Sequence, residues 1–118
     1  MSPAINWRYH RANCESCSKA QAFLSERGIE SVEPINARKV AIGPEAALAL
    51  LADASALSVM QGRKLYEFDL AAERPDDETI LNLIIGRSGN LRAPALRIGT
   101  TLVVGFDAGL YERLLNPG

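Results

Sequence analysis

Ile5-Asn6-Trp7-Arg8-Tyr9-His10, running through Arg11-Ala12-Asn13-Cys14-Glu15-Ser16-Cys17 into Ser18-Lys19-Ala20 and Phe23-Leu24, contains the change of period that decides the fold. Over residues 5–10 apolar and polar side chains alternate, the pattern of a strand with one buried face. From Ser16 the repeat lengthens. Ala20, Phe23 and Leu24 stand at i, i+3 and i+4, one apolar stripe of a helix. Gly28, after Glu26-Arg27, reads as its C-terminal cap. Residues 29–35 read as a second strand, and Pro34 points to an edge position. Strand, Cys-x-x-Cys turn, helix and strand make a βαβ unit, with parallel strands and a right-handed crossover.

Beyond it, Gly43-Pro44-Glu45 opens a second helix, since proline suits a first turn. Ala46, Leu48, Leu50 and Leu51 supply its apolar side chains. The stretch from Ala52 to Met60 reads as an extension of that helix or the start of another, and residues 64–70 as a short strand or an extended loop. Asp76-Asp77-Glu78 ahead of Ile80, Leu81, Leu83, Ile84 and Ile85 predicts a third helix, closed by Gly86 or Gly89. Residues 95–98 and 102–106 flank Gly99-Thr100-Thr101 as a β-hairpin. Asp107 is placed to cap a last helix carrying Leu110, Tyr111, Leu114 and Leu115. The expected class is α/β: βαβ, inserted helices, then ββα, in a single domain over residues 1–118.

Lys and Arg number 13 against 14 Asp and Glu, a net charge of −1 with no basic cluster, which gives no electrostatic reason to expect nucleic acid. No apolar run approaches the ~20 residues that span a bilayer. The first residues lack the apolar core of a secretory signal. The cytoplasm is therefore the expected compartment, with no membrane partner. Two cysteines are too few to staple a secreted scaffold, and in a reducing compartment a close pair reads as redox, catalytic or metal-binding.

Cys14 follows a strand and precedes a helix, so its sulfur lies near unpaired helical N–H groups and the positive end of the helix dipole. That favours the thiolate, the attacking species in thiol–disulfide exchange. Cys17, almost one turn later, is placed to resolve a mixed disulfide on Cys14. Two buried structural thiols, or half of a zinc site completed by His10, are the competing readings; there is one histidine and no second Cys-x-x-Cys. Glu15 opposes a thiolate at Cys14, whereas Lys19, Arg11 and Arg8 favour it. His10, at the strand end, either hydrogen-bonds near Cys14 or is structural. Arg92 is read either as a surface ion-pair residue or as an anion contact facing Cys14. Pro94, lacking an N–H, belongs at a strand start.

Tyr9-His10-x-x-x-Cys14-x-x-Cys17-Ser18-Lys19-Ala20 with Phe23-Leu24 and Gly28-Ile29, and later Arg92-Ala93-Pro94-Ala95-Leu96, residues 102–106 and Tyr111, resemble the arsenate-reductase-like ArsC/Spx family. The match is nearest to its ArsC family (seleno)protein subgroup. The resemblance implies a thioredoxin-like fold with a four-stranded mixed sheet, a cis peptide before Pro94, Cys14 as nucleophile and Arg92 as a candidate anion contact. His10 matches the histidine that precedes the nucleophile in the family's arsenate reductases. Those enzymes carry arginine where Ala93 stands here and lack the second cysteine, present here as Cys17. The expected function is therefore a thiol–disulfide oxidoreductase with no bound cofactor, acting on a redox partner protein or a low-molecular-weight thiol. Glutathione or a thioredoxin/glutaredoxin system would supply electrons. The alternatives are an Spx-like redox-sensing regulator with a protein partner, and an arsenate reductase dependent on glutathione and glutaredoxin.

Overall fold

A computed structural model of the chain describes residues 5–11, 15–27, 35–37, 39–52, 54–87 and 89–115. The elements in chain order are β1 (Ile5–His10), α1 (Glu15–Glu26), β2 (Ile35–Asn36), α2 (Pro44–Leu51), β3 (Ala56–Gln61), β4 (Lys64–Asp69), α3 (Asp77–Ile84), β5 (Ala95–Ile98), β6 (Thr101–Val104) and α4 (Ala108–Leu115). The protein is α/β, as its alternating periods predict. Expected features at Cys14, at Gly28 and over residues 29–34 lie outside the described residues.

One mixed sheet runs β2-β1-β5-β6-β3-β4. β1 pairs with β2 in parallel and with β5 antiparallel, and β5 pairs antiparallel with β6. These four strands are the βαβ and ββα halves joined through β1 and β5. Two further strands are attached to β6, with β3 parallel to it and β4 antiparallel to β3. The sheet thus has six strands, not four, and residues 56–61 form a strand where a helix is expected. The reason lies in which side chains the sheet can use. Leu57 and Val59 are wholly buried and Ser58 between them is buried on the other face, so pairing within the sheet prevails over the helical tendency of Ala56 and Met60. Gly62-Arg63 makes the two-residue turn to β4, with Gly62 at φ +62°.

Helices cover both faces. Ala47 and Leu51 of α2 and Ile80 and Ile84 of α3 pack with Tyr9, Leu57, Val59, Leu102 and Val104. On the opposite face Ala20, Phe23 and Leu24 of α1 and Leu110, Tyr111 and Leu115 of α4 pack with Ile5, Leu96, Ile98 and Val103. Among the described side chains of β1, Ile5 and Arg8 lie under one helical layer and Tyr9 under the other, so the strand is covered on both faces, which corrects its reading as a strand with one buried face. Its register against β5 slips between Ile5 and Trp7. This β-bulge turns Ile5 and Arg8 toward α1 and α4 while Tyr9 joins the α2–α3 side.

Local signals hold at several ends. Pro44 stands in the first turn of α2. Asp76 caps α3 by accepting from the Thr79 N–H at 2.9 Å, and Asp107 caps α4 by accepting from that of Leu110 at 2.9 Å. Among the described residues no helix is long and apolar enough to cross a membrane.

Candidate redox site at the carboxyl end of the sheet

β1, β3 and β6 run in the same direction, because β5 is antiparallel to both β1 and β6 and β3 is parallel to β6. Their carboxyl ends thus share one edge, the edge from which open α/β sheets bind ligands. The chain leaves β1 there and re-enters as α1, whose first turn holds Cys17. Cys17 heads the inward stripe of α1, with Ala20 and Leu24 three and seven residues on, and has no solvent exposure. The backbone N–H of Arg11 donates to its Sγ at 3.4 Å. The sulfur is therefore turned back toward the strand-to-helix junction, the stretch of chain that carries Cys14. Cys14 itself lies outside the described residues.

Pro94 reaches the same edge. Ala95 lies opposite Tyr9 in the β1–β5 register, so the preceding residue falls level with His10. The Ala93–Pro94 peptide is cis, as the resemblance implies. The Pro94 carbonyl accepts the N–H of Gly105 at 2.8 Å, joining this loop to the end of β6.

His10 is half-buried, and its carbonyl accepts the N–H of Ala37 at 2.8 Å. Burial, and secondarily the positive charge of Arg8, hold its imidazole below the ordinary histidine range, so the neutral ring is favoured. Lys19 is exposed and pairs with Glu15 one turn earlier at 3.3 Å. It thereby offsets the acid between the two cysteines in sequence.

Arg92 fits neither of its two expected roles simply. Its guanidinium donates to the carbonyl of Leu83, in the last turn of α3, and to that of Met60, near the end of β3, both at 3.0 Å. Burial lowers its pKa from the ordinary arginine value. Its described bonds tie the carboxyl ends of two elements together.

Beside the start of α1 lies an open groove of about 530 Å3. Ser16 and Lys19 form one side, Met60, Gly62 and Arg63 of the β3–β4 hairpin another, and Phe106 and Asp107 a third. The hairpin, unexpected from the sequence, thus builds a wall next to the cysteine motif. Among the described residues no three of His, Cys, Asp and Glu gather as a metal-ligand set.

Two buried polar side chains stand behind Cys17. Arg8 of β1 is 6% exposed and donates to Gln21 Oε1 of α1. Tyr111 of α4 is fully buried and donates from its hydroxyl to the Gly105 carbonyl at 2.9 Å. Burial, reinforced by the negative charge of a Cys17 thiolate and opposed by Arg8, raises the Tyr111 pKa far above the ordinary phenol. Arg8 occupies a polar slot of an alternating strand and so resembles a solvent-facing residue in sequence; Tyr111 resembles ordinary helix core. Comparison of the chain with protein-family models, curated proteins and solved structures found no match.

Proposed function

We propose that the protein is a thiol–disulfide oxidoreductase of thioredoxin-like architecture, working through Cys14 and Cys17. The observation that carries this reading is the placement of Cys17: first turn of α1, wholly buried, its sulfur bonded by the Arg11 N–H at the β1–α1 junction. Cys14 precedes Cys17 by three residues in the chain. The four-strand order β2-β1-β5-β6 and the position of Pro94 level with His10 support the same reading.

In the proposed cycle the Cys14 thiolate attacks one sulfur of a substrate disulfide. The S–S bond breaks, the other substrate sulfur leaves as a thiolate and takes a proton from water, and a mixed disulfide remains on Cys14. Cys17, as thiolate, attacks the Cys14 sulfur and expels the second substrate thiol. Two electrons pass from the protein to the substrate, and the Cys14–Cys17 disulfide is reduced again by glutathione or a thioredoxin/glutaredoxin system. The donors that Arg92 gives to Met60 and Leu83 favour a disulfide over an oxyanion as substrate, because a disulfide needs no cation to hold it.

Reduction of a disulfide-linked reporter protein by the wild type, Cys14→Ser and Cys17→Ser tests the proposal. The Cys14→Ser variant is expected to lose activity, and Cys17→Ser to accumulate a mixed disulfide visible by mass. An undiminished rate in Cys14→Ser refutes the proposal. A Cys14–Cys17 disulfide that forms, changes which proteins bind and turns over no substrate identifies a redox-sensing regulator instead.

A further inference from the structure

Arg8 sits in the middle of β1, opposite Leu96 of β5, at 6% exposure. A guanidinium at that depth is costly unless hydrogen bonds and an opposite charge compensate it. Its hydrogen bond to the Gln21 side chain fixes it against α1. Gln21 follows Cys17 by four residues, so the two lie one turn apart along the same side of the helix. Among the described residues, Arg8 from β1 and Tyr111 from α4 are in electrostatic contact with Cys17, and His10 is in turn coupled to Arg8. The other strands facing this layer contribute apolar side chains, Leu96, Ile98 and Val103. Arg8 is thus the cation among them that opposes the burial of a negative sulfur.

We propose that Arg8 is a positioning residue for the second cysteine: its guanidinium, steered by Gln21, serves as counter-cation to the buried Cys17 thiolate. The role rests on the redox reading of the pair, in which Cys17 acts as a thiolate on the mixed disulfide. Arg8 keeps its proton throughout; the electron pair that forms the Cys14–Cys17 bond comes from Cys17, and the pair released leaves on the substrate sulfur. Once the disulfide has formed, Cys17 no longer carries a negative charge and its attraction to Arg8 is gone. Arg8 therefore stabilises the dithiol relative to the disulfide and makes the pair more oxidising.

The test uses Cys14→Ser, which leaves Cys17 as the one cysteine of the chain. The thiolate absorbance of Cys17 is followed against pH with and without Arg8→Met. Loss of the guanidinium is expected to move the midpoint up by about one unit, a tenfold loss of thiolate at a given pH below it. Arg8→Lys restores part of the shift. With both cysteines present, Arg8→Met is expected to shift the glutathione redox equilibrium about tenfold toward the disulfide, or ~30 mV. Equal midpoints in a folded Arg8→Met variant and its parent overturn the proposal. If that variant does not fold, Gln21→Ala decides: it keeps both charges and removes the steering bond from an exposed position. A shift of about half a unit supports the role and no shift overturns it. Failure of the redox reading appears elsewhere, as full reporter reduction by Cys14→Ser, and leaves the Cys17 titration interpretable.

Discussion

Substituting Gly105 by alanine is expected to cost about 3–4 kcal/mol, by two routes that can be separated. Gly105 adopts φ +94°, where an L side chain costs roughly 1–2 kcal/mol. A Cβ at this position would also lie 2.6 Å from the Met60 carbonyl oxygen and 3.1 Å from Met60 Cβ. The first contact is with backbone, so the end of β3 must retreat by nearly 1 Å, an overpacking cost of about 1–3 kcal/mol. The retreat is opposed because the Met60 carbonyl also receives Arg92, while the N–H and carbonyl of Gly105 are held by Pro94 and Tyr111. Gly62 supplies the control. It adopts φ +62° with nothing within 4 Å of a Cβ, so Gly62→Ala carries the conformational cost alone, about 1 kcal/mol. At roughly 3–6 °C per kcal/mol for a domain of this size, Gly105→Ala should melt about 10–20 °C below the wild type and Gly62→Ala within about 6 °C. Thermal denaturation followed by circular dichroism measures both. A Gly105→Ala variant that melts no lower than Gly62→Ala would falsify the close approach of β6 to β3.

Arg92→Met, which keeps much of the apolar stem, is expected to lower unfolding stability by about 2 kcal/mol in urea, because two backbone carbonyls lose charged donors and part of the site is solvated. A residue serving only as an anion contact would leave the urea midpoint unchanged, and that outcome refutes the tethering role. His10 is the one histidine of the chain, so proton NMR titration reads it without ambiguity. Its midpoint should fall below the ordinary 6.5 and rise part-way back in Arg8→Met, since burial remains when the charge is removed. The unfolded chain takes up this proton more readily than the folded one. His10 therefore subtracts stability as pH falls from about 6.5 through its folded midpoint and has no effect above that range. A midpoint at or above 6.5 contradicts the burial of the ring.

The parts of the fold that were legible are those written in local chemistry. Asp107 caps as its position suggests, the acidic run 76–78 opens α3 with Asp76 as its cap rather than in its first turn, and Gly99, at φ +61°, turns β5 into β6. The β3–β4 hairpin was not legible, although Gly62 marks its turn. Ala56-Leu57-Ser58-Val59-Met60 directly follows a run of helix formers, and its strand is completed on one edge by β4 and on the other by Thr101–Val104, about 45 residues away. β4 and β6 flank β3 and give Leu57 and Val59 strand partners on both sides, and α2 and α3 then cover them. The burial of Arg8 was hidden for a related reason. Alternation alone cannot distinguish an outward polar residue from one facing a second layer of helices. Here both the β-bulge and the cover of α1 and α4 are tertiary facts.

Arginine is where this difficulty bears on function. A guanidinium has five donors and a long stem, and which acceptors it meets depends on carbonyls and amides brought together by folding. Arg97 donates to the Leu50 carbonyl, Arg92 to those of Met60 and Leu83, and Arg8 to Gln21 beside Cys17. From sequence, Arg92 reads either as a surface ion-pair residue or as an anion contact facing Cys14. The bonds it makes instead hold α3 to Met60, and Met60 lines the groove at the start of α1. Its contribution to the site is therefore to fix a wall, while the cation coupled to a cysteine is Arg8, buried on the opposite side of α1 from the exposed Lys19. A buried cation behind the second cysteine suits a reaction whose negative charge resides on sulfur. Recognition of a multiply charged oxyanion would call for cations in the open groove, where Lys19 is paired with Glu15 and Arg63 stands on the hairpin wall. The two substrate classes therefore make different demands on this site: a disulfide needs no cation in the groove, whereas an oxyanion would draw on Arg63.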